Sequence, residues 1–243
     1  MQTKRTIFPN RILPYLLLLP QLAITGVFFI WPAGQAVWSS FLREDAFGFR
    51  STFVWFRNYT RLFNDADYVN AMWVTLVFSV AVTVLSMTFS LLLAVNANAM
   101  LRSRNAYTTL LVWPYAVAPA VAGILWWFMF NPTIGILSYV LSITGYSWNH
   151  RVSSTDAMIL VVLAASWKQV SYNFVFFLAG LQAIPHSLIE AATIDGAGPF
   201  KRFRTIVFPL LSPTTFFLLV VNIVYAMFDT FAIIHATTEG GPA

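Results

Sequence analysis

From Tyr68 to Leu101 the chain reads YVNAMWVTLVFSVAVTVLSMTFSLLLAVNANAML, 34 residues without one Asp, Glu, Lys or Arg. A helix needs about 20 mostly apolar residues to cross a bilayer, so this stretch is long enough to span one. Similar stretches lie on either side of it. Ile12 to Leu42 and Asn105 to His150 are equally free of charge, Ala157 to Ile184 carries only Lys168, and Thr205 to about Thr238 carries only Asp229. Membrane-spanning barrel strands would alternate apolar and polar positions. Leu16-Leu17-Leu18-Leu19 and Phe174-Val175-Phe176-Phe177 do not alternate, so the runs read as helices. The expectation is an all-α, polytopic transmembrane helix bundle with five spans near 12–32, 70–96, 106–130, 157–183 and 207–233. No internal repeat or low-complexity linker divides the chain, which reads as one membrane domain over 1–243.

Composition agrees. Of the 243 residues 58% are hydrophobic and only 9% charged, against roughly 25% charged in soluble domains. A soluble globule built from this chain would expose large apolar patches. That excludes a soluble enzyme, a nucleic-acid-binding domain and a disordered scaffold, and makes membrane lipid the first partner. The 14 Lys and Arg do not form one patch despite a net charge of +5; they read as topology signals. With the N-terminus inside, the cytoplasmic side holds eight basic residues: Lys4, Arg5, Arg11, Arg102, Arg104, Lys201, Arg202 and Arg204. The outer loops hold five: Arg43, Arg50, Arg57, Arg61 and Arg151. The N-terminus is therefore expected in the cytoplasm, and five spans put the C-terminus outside. The first run exceeds the apolar core of a signal peptide, about 7–15 residues, and contains Pro14 and Pro20, so it reads as an uncleaved helix.

Between the fourth and fifth runs stands Pro185-His186-Ser187-Leu188-Ile189-Glu190-Ala191-Ala192-Thr193-Ile194-Asp195-Gly196-Ala197-Gly198-Pro199. Pro185 ends the preceding span. Ser187 and Glu190 have the spacing of a capping box, which predicts a short helix from Leu188 to about Asp195. Gly196 suits the left-handed residue that closes a helix, and Pro199 suits the first turn of the next. About eight residues fall short of the roughly 12–15 that make an isolated helix even marginally stable in water. Its Leu and Ile side chains need a surface. That surface is either the protein's own helix ends or a separate partner.

The run Glu190-Ala191-Ala192-x3-Gly196-x9-Ile206-x-Phe208-Pro209 resembles the EAA signature of ABC-importer permease subunits, with Phe208 in place of the usual Leu. The resemblance extends over Trp113 to Ala122, Phe130-Asn131-Pro132, Trp167-Lys168-Gln169, Ser171 to Phe174 and Ile189 to Gly198, nearly the whole chain. It is nearest to the carbohydrate-type, binding-protein-dependent permeases that serve sn-glycerol-3-phosphate import. It implies a multi-pass protein of the bacterial inner membrane, in which residues 185–204 form a cytoplasmic coupling loop. Ser187, Glu190, Ala191, Ala192, Gly196, Ile206 and Pro209 would carry the coupling, with Glu190 meeting a basic residue of an ATPase. The implied partners are two cytoplasmic ATPase subunits, a second homologous permease and a periplasmic solute-binding protein delivering substrate to outer loops such as Ser51 to Asn70. A sixth span would follow the Gly240-Gly241-Pro242 segment; it is absent from this sequence, which ends at Ala243.

No G-x-x-x-x-G-K-[ST] loop is present, so ATP must be bound by another polypeptide. His150, His186 and His235 are far apart, which argues against a metal site, and no G-x-S-x-G elbow exists. The chain reads as non-catalytic and without a cofactor. Lys168 lies within a span, where a charge is costly and faces a bundle interior or a watery cavity. With Gln169, Tyr172 and Asn173 it forms a polar stripe at helical spacing. The stripe either lines a substrate path, with Lys168 holding an anionic phosphate ester, or Lys168 is structural, paired with a carbonyl or a partner carboxylate. Asn222 and Asp229, seven residues apart, share a face of the fifth span; Asp229 could pair with Lys168, gate the outer side or reach headgroup water. Pro114 and Pro119 remove helix hydrogen bonds, and so bend the third span or free carbonyls into a cavity. Tryptophans such as Trp31, Trp73 and Trp127 fall near span ends, as interfacial anchors do. A permease of the same type for a sugar or other polyol is the neighbouring alternative. A passive channel or sensor docking a non-ATPase partner is a different class.

Overall fold

The apolar runs do fold as helices. The computed structural model describes residues 12–45, 50–99 and 104–242. Lys4, Arg5, Arg11 and Arg102 of the charge count lie outside the described residues. Among the described residues, four helices are long and apolar enough to cross a membrane, and a bent pair makes a fifth crossing if its halves count as one. The chain divides into two compact units, 1–72 and 73–243.

In the first unit, α1 runs from Leu13 to Ser40, further than the expected 12–32. A π turn over Gly26–Ile30 precedes Pro32, so that proline falls in the first turn of the resumed helix, where its missing N–H costs little. None of the α1 side chains is buried. Leu16, Phe28 and Trp31 are all open, as lipid-facing residues are. A short antiparallel hairpin follows, β1 (Leu42–Glu44) with β2 (Ser51–Phe53), pairing Leu42 with Phe53 and Glu44 with Ser51. Next is α2 (Arg57–Phe63). From it, the Asn58 amide donates to the carbonyls of Ser40 at 2.8 Å and Leu42 at 2.9 Å. The Ser40 carbonyl is one that a helix end leaves without an intrahelical partner.

The long helix α3 (Ala66–Ala99) continues from the first unit into the second. There α7 (Ser154–Gln182) contributes to each of the three hydrophobic clusters among the described residues. Phe78 and Val82 of α3 meet Val161 and Ala165 at one level, and Ala94 and Ala97 meet Phe174 and Phe177 at another. The buried α3 residues Val82, Ser86, Ser90 and Ala94 recur every four positions, one stripe of small side chains that lets helices approach closely in lipid. The fifth crossing is α9 (Pro199–Asp229), with π turns at Phe203–Val207 and Tyr225–Asp229. It begins eight residues before the expected 207, because Pro199 serves as its first-turn residue.

The third expected span requires correction: it is not one straight helix. α4 (Arg104–Ala116) and α5 (Pro119–Met129) are bent by 101° across Val117 and Ala118. Ala118, placed before a proline, takes ψ 140 instead of a helical value, as the clash with the proline ring demands. Phe130 caps α5 ahead of α6 (Ile136–Ile143), and its ring lies 4.7 Å from that of Trp148 in the loop between α6 and α7. After α9 the chain turns at Thr230 into α10 (Phe231–Thr238), which lies directly on α5. A Cβ on Gly123 would come within 2.8 Å of the Ala236 methyl and 3.0 Å of the Ile233 carbonyl. Only glycine allows that contact.

Candidate functional site

The loop between α7 and α9 contains α8 (His186–Ile194), which starts two residues and ends one residue before where the sequence placed it. Its start is a correction. Pro185 is the N-cap and no side chain caps the helix, because the helix begins at His186 and draws Ser187 into its first turn. The expected capping box with Glu190 is therefore not formed. Its end follows the sequence. Gly196 has φ +77, its N–H bonds to the Thr193 carbonyl at 3.0 Å, and the Ala197 N–H reaches back to Ala192 at 2.9 Å. That pair of bonds is a Schellman closure, and the positive φ explains the glycine.

The faces of this helix differ. On one, Ala192 is buried and Ile189 borders an apolar cavity of about 390 Å³ shared with Val95, Ile184 and Phe203. The other stays open. Ile194 is 87% exposed and Leu188 43%, while Ser187, Glu190 and Ala191 are exposed beside them. Arg202 reaches back from α9 to hydrogen-bond Thr193, tying the loop to the helix that follows. Ile206 is half-buried in the first turns of α9 and Pro209 is exposed just beyond. An open apolar edge on a nine-residue helix, with a carboxylate beside it, has the form of a docking surface.

The six membrane-path candidates separate into groups. Lys168, buried, donates from Nζ to the Tyr115 carbonyl at 3.0 Å and the Val117 carbonyl at 2.9 Å, and lies 5.1 Å from the Tyr115 ring centroid. The reason is local. In a continuous helix the Tyr115 carbonyl would accept from residue 119, but residue 119 is proline and has no N–H. Lys168 supplies the missing donor, the carbonyl-paired alternative read from the sequence. Tyr172 stands beside it, its ring 5.8 Å from that of Tyr115, and Gln169 is buried nearby on the same helix.

Asn173 belongs elsewhere. Its amide exchanges hydrogen bonds with that of Asn222, 3.0 Å one way and 2.8 Å the other, and Ser86 Oγ donates to Asn222 Oδ1 at 2.8 Å. All three residues are fully buried, so the network joins α3, α7 and α9. Asp229 is exposed at the far end of α9 and is not in either group. Sequence reasoning missed Ser86 and the Tyr115 and Val117 carbonyls. Only the Tyr115 carbonyl was signalled, by Pro119 four residues on. Among the described residues, no three His, Asp or Glu side chains converge as a metal would require.

Residues 69–241 match the family described as binding-protein-dependent transport system inner membrane component. The chain is 59% identical over 240 residues to the sn-glycerol-3-phosphate transport system permease protein UgpA of Rhizobium meliloti (strain 1021), covering 99% of this chain and 82% of that protein. It is 60% identical to the protein of the same name from Brucella suis biovar 1 (strain 1330), with the same coverage of each. Among solved structures, a chain of a bacterial alginate ABC transporter, crystallised with an alginate pentasaccharide-bound periplasmic protein, is similar in fold. Its TM-score is 0.72 at 21% identity, covering 93% of this chain and 80% of that one.

Proposed function

Because the chain belongs to the binding-protein-dependent transport system inner membrane components, we propose that it is the permease subunit of an ATP-driven importer of sn-glycerol-3-phosphate. The observation that carries this is the 59% identity across 99% of the chain to a permease named for that solute. The subunit is a multi-pass inner-membrane protein and is itself non-catalytic. ATP is hydrolysed by a separate subunit, and a solute-binding protein supplies the substrate. In the finer reading the N-terminus is cytoplasmic, a second homologous permease completes the pathway, and two ATPase subunits drive it. The whole chain acts as one permease domain.

Residues 185–204 form the coupling loop. The open Leu188–Ile194 edge of α8 seats in a cleft of the ATPase, and Glu190 pairs with a basic residue there. The Gly196 closure and the Arg202–Thr193 bond make α8 move with α9, so closure of the ATPases on ATP is passed to a membrane helix through Ile206 and Pro209. The pathway alternates between outward and inward access, two states whose balance nucleotide sets. Lys168, Gln169 and Tyr172 lie along the path at the break between α4 and α5, with Asn173, Asn222 and Asp229 on neighbouring turns.

The test is uptake of labelled sn-glycerol-3-phosphate by the reconstituted complex, wild type beside Ile194→Asp. Ile194 is 87% exposed, so the substitution costs the fold little. Wild type should import the label, while the variant should assemble less ATPase and lose at least about ten-fold in rate, the size of about 1.4 kcal/mol of lost docking. Uptake of another solute in its place overturns the substrate. Full activity in the variant overturns the coupling role.

A further inference from the structure

At the end of the helices opposite the 185–204 loop lies a cavity of about 570 Å³, within the roughly 300–1,000 Å³ of small-ligand sites. Its walls come from α5, the segment before α7, and α10 with the turn that follows it. Lys168 does not reach it, lying fourteen residues into α7, about 21 Å along the helix at 1.5 Å per residue.

Three kinds of chemistry meet in this cavity. Arg151 is exposed, with its guanidinium carbon 5.6 Å from the Trp127 ring centroid. A guanidinium held over an indole by cation–π attraction still has N–H groups free for an oxyanion. His150 is only 2% exposed, and neither of its ring nitrogens has a hydrogen-bond partner at bonding geometry. A buried polar side chain left so costs free energy unless something enters to bond it. Burial, then the charge of Arg151, lowers the His150 pKa, so at neutral pH the ring offers one donor and one acceptor. Glu239 borders the cavity as an exposed carboxylate, an acceptor for hydroxyl hydrogens. A bare anion would meet Glu239 unfavourably. A molecule with an anionic end for Arg151, hydroxyls for Glu239 and His150, and C–H surface for the Trp127 face would satisfy all four.

We propose that this cavity binds a glycerophosphate group, its phosphoryl oxygens on Arg151 and its free hydroxyls on His150 and Glu239. The choice of a polyol phosphate rests on the substrate reading above; the cavity and its unpartnered histidine do not. The same group occurs in free sn-glycerol-3-phosphate and in the headgroup of phosphatidylglycerol. The first is a phosphate monoester and the second a diester, but both present an anionic phosphoryl group joined to a glycerol with two free hydroxyls.

The test uses the assembled complex without its solute-binding protein, in nanodiscs of phosphatidylcholine alone or with phosphatidylglycerol. Labelled sn-glycerol-3-phosphate is the probe, with inorganic phosphate and glycerol as competitors. Binding should be seen in phosphatidylcholine, weaken at least ten-fold in Arg151→Gln and several-fold in Glu239→Gln, and be displaced poorly by phosphate and not by glycerol. Arg151 and Glu239 are both exposed, so the variants should assemble normally, and recovery of all subunits checks this. If phosphatidylglycerol displaces the probe, or co-purifies with wild type but not with Arg151→Gln, the occupant is lipid and the site stands. Binding of neither the probe nor the lipid in an Arg151-dependent way, by a complex that still imports sn-glycerol-3-phosphate, overturns the site and leaves the substrate reading standing. Import of a different solute with Arg151-dependent glycerophosphate binding retained does the reverse.

Discussion

Asn173 and Asn222 face each other across two membrane helices and each amide both gives and receives a hydrogen bond, at 3.0 and 2.8 Å. Asn222 Nδ2 also donates to the Leu218 carbonyl at 2.7 Å. Hydrogen bonds between helices in lipid average about 0.6 kcal/mol and reach about 1.7. A reciprocal pair supported by Ser86 belongs toward the upper end. Asn173→Ala and Asn222→Ala should each destabilise the complex by about 1–2 kcal/mol, and the double variant by about 1 kcal/mol less than their sum. Melting of the four proteins of this cycle measures the difference; strict additivity would mean the amides do not act as a pair.

Lys168 and Pro119 should behave as one unit. Lys168→Met leaves the Tyr115 and Val117 carbonyls without their donor, a cost of about 1–3 kcal/mol, and uptake should fall with the loosened break. Pro119→Ala restores the N–H that the Tyr115 carbonyl lacks. Added to Lys168→Met it should return part of the lost thermal stability without returning transport, since the 101° bend is relaxed. A double variant no more stable than Lys168→Met alone would count against the cap.

Gly123 marks a contact where added volume must be matched by lost volume. Gly123→Ala places a methyl 2.8 Å from the Ala236 methyl and should destabilise by about 1–3 kcal/mol, the usual cost of overpacking. Ala236→Gly in the same chain removes the clashing atom and should recover part of that loss in a melting experiment. The Ile233 carbonyl, 3.0 Å from the new methyl, limits the rescue.

His150 should make the complex acid-sensitive. Burial, then Arg151, holds its pKa below the ordinary 6.5, while the Phe130 carbonyl and Asp156 pull weakly the other way. Glu239 shares its cavity. The folded state prefers the neutral ring, so its stabilisation is complete above pH 6.5 and is lost as pH falls through the lowered value. Between pH 7.5 and 5.5 the wild-type melting temperature should drop further than that of His150→Gln. Parallel curves for the two proteins would rule out this residue as the source.

The spans and the short helix between α7 and α9 were legible in the sequence because long-range packing does not decide them. Uncharged runs long enough to cross lipid must be helices, and Gly196 and Pro199 mark the limits of a short helix by backbone geometry alone. The capping box was misread for a related reason. Local spacing at Ser187 and Glu190 allowed it, but Pro185 had already begun the helix two residues earlier. Side chains that work across helices were only half legible. Lys168, Gln169, Tyr172 and Asn173 looked like one stripe because helical spacing groups them. Yet Asn173 turns to α9, whereas Lys168 turns to a break that only Pro119 hinted at. Ser86 carried no signal, being one small hydroxyl among several on α3. His150 carried one pointing away from its surroundings, since the sequence offered it only as a failed metal ligand.

The Asn173–Asn222 pair also bears on how the protein is made. A growing chain delivers α3 and α7 to the lipid before α9 leaves the ribosome, so Ser86 and Asn173 wait there without the amide that completes their bonding. Arrival of Asn222 ends that wait. The last of these helices to be synthesised is thus the one that latches the other two, and a nascent chain stalled before residue 222 should be the form that membrane quality-control proteases remove.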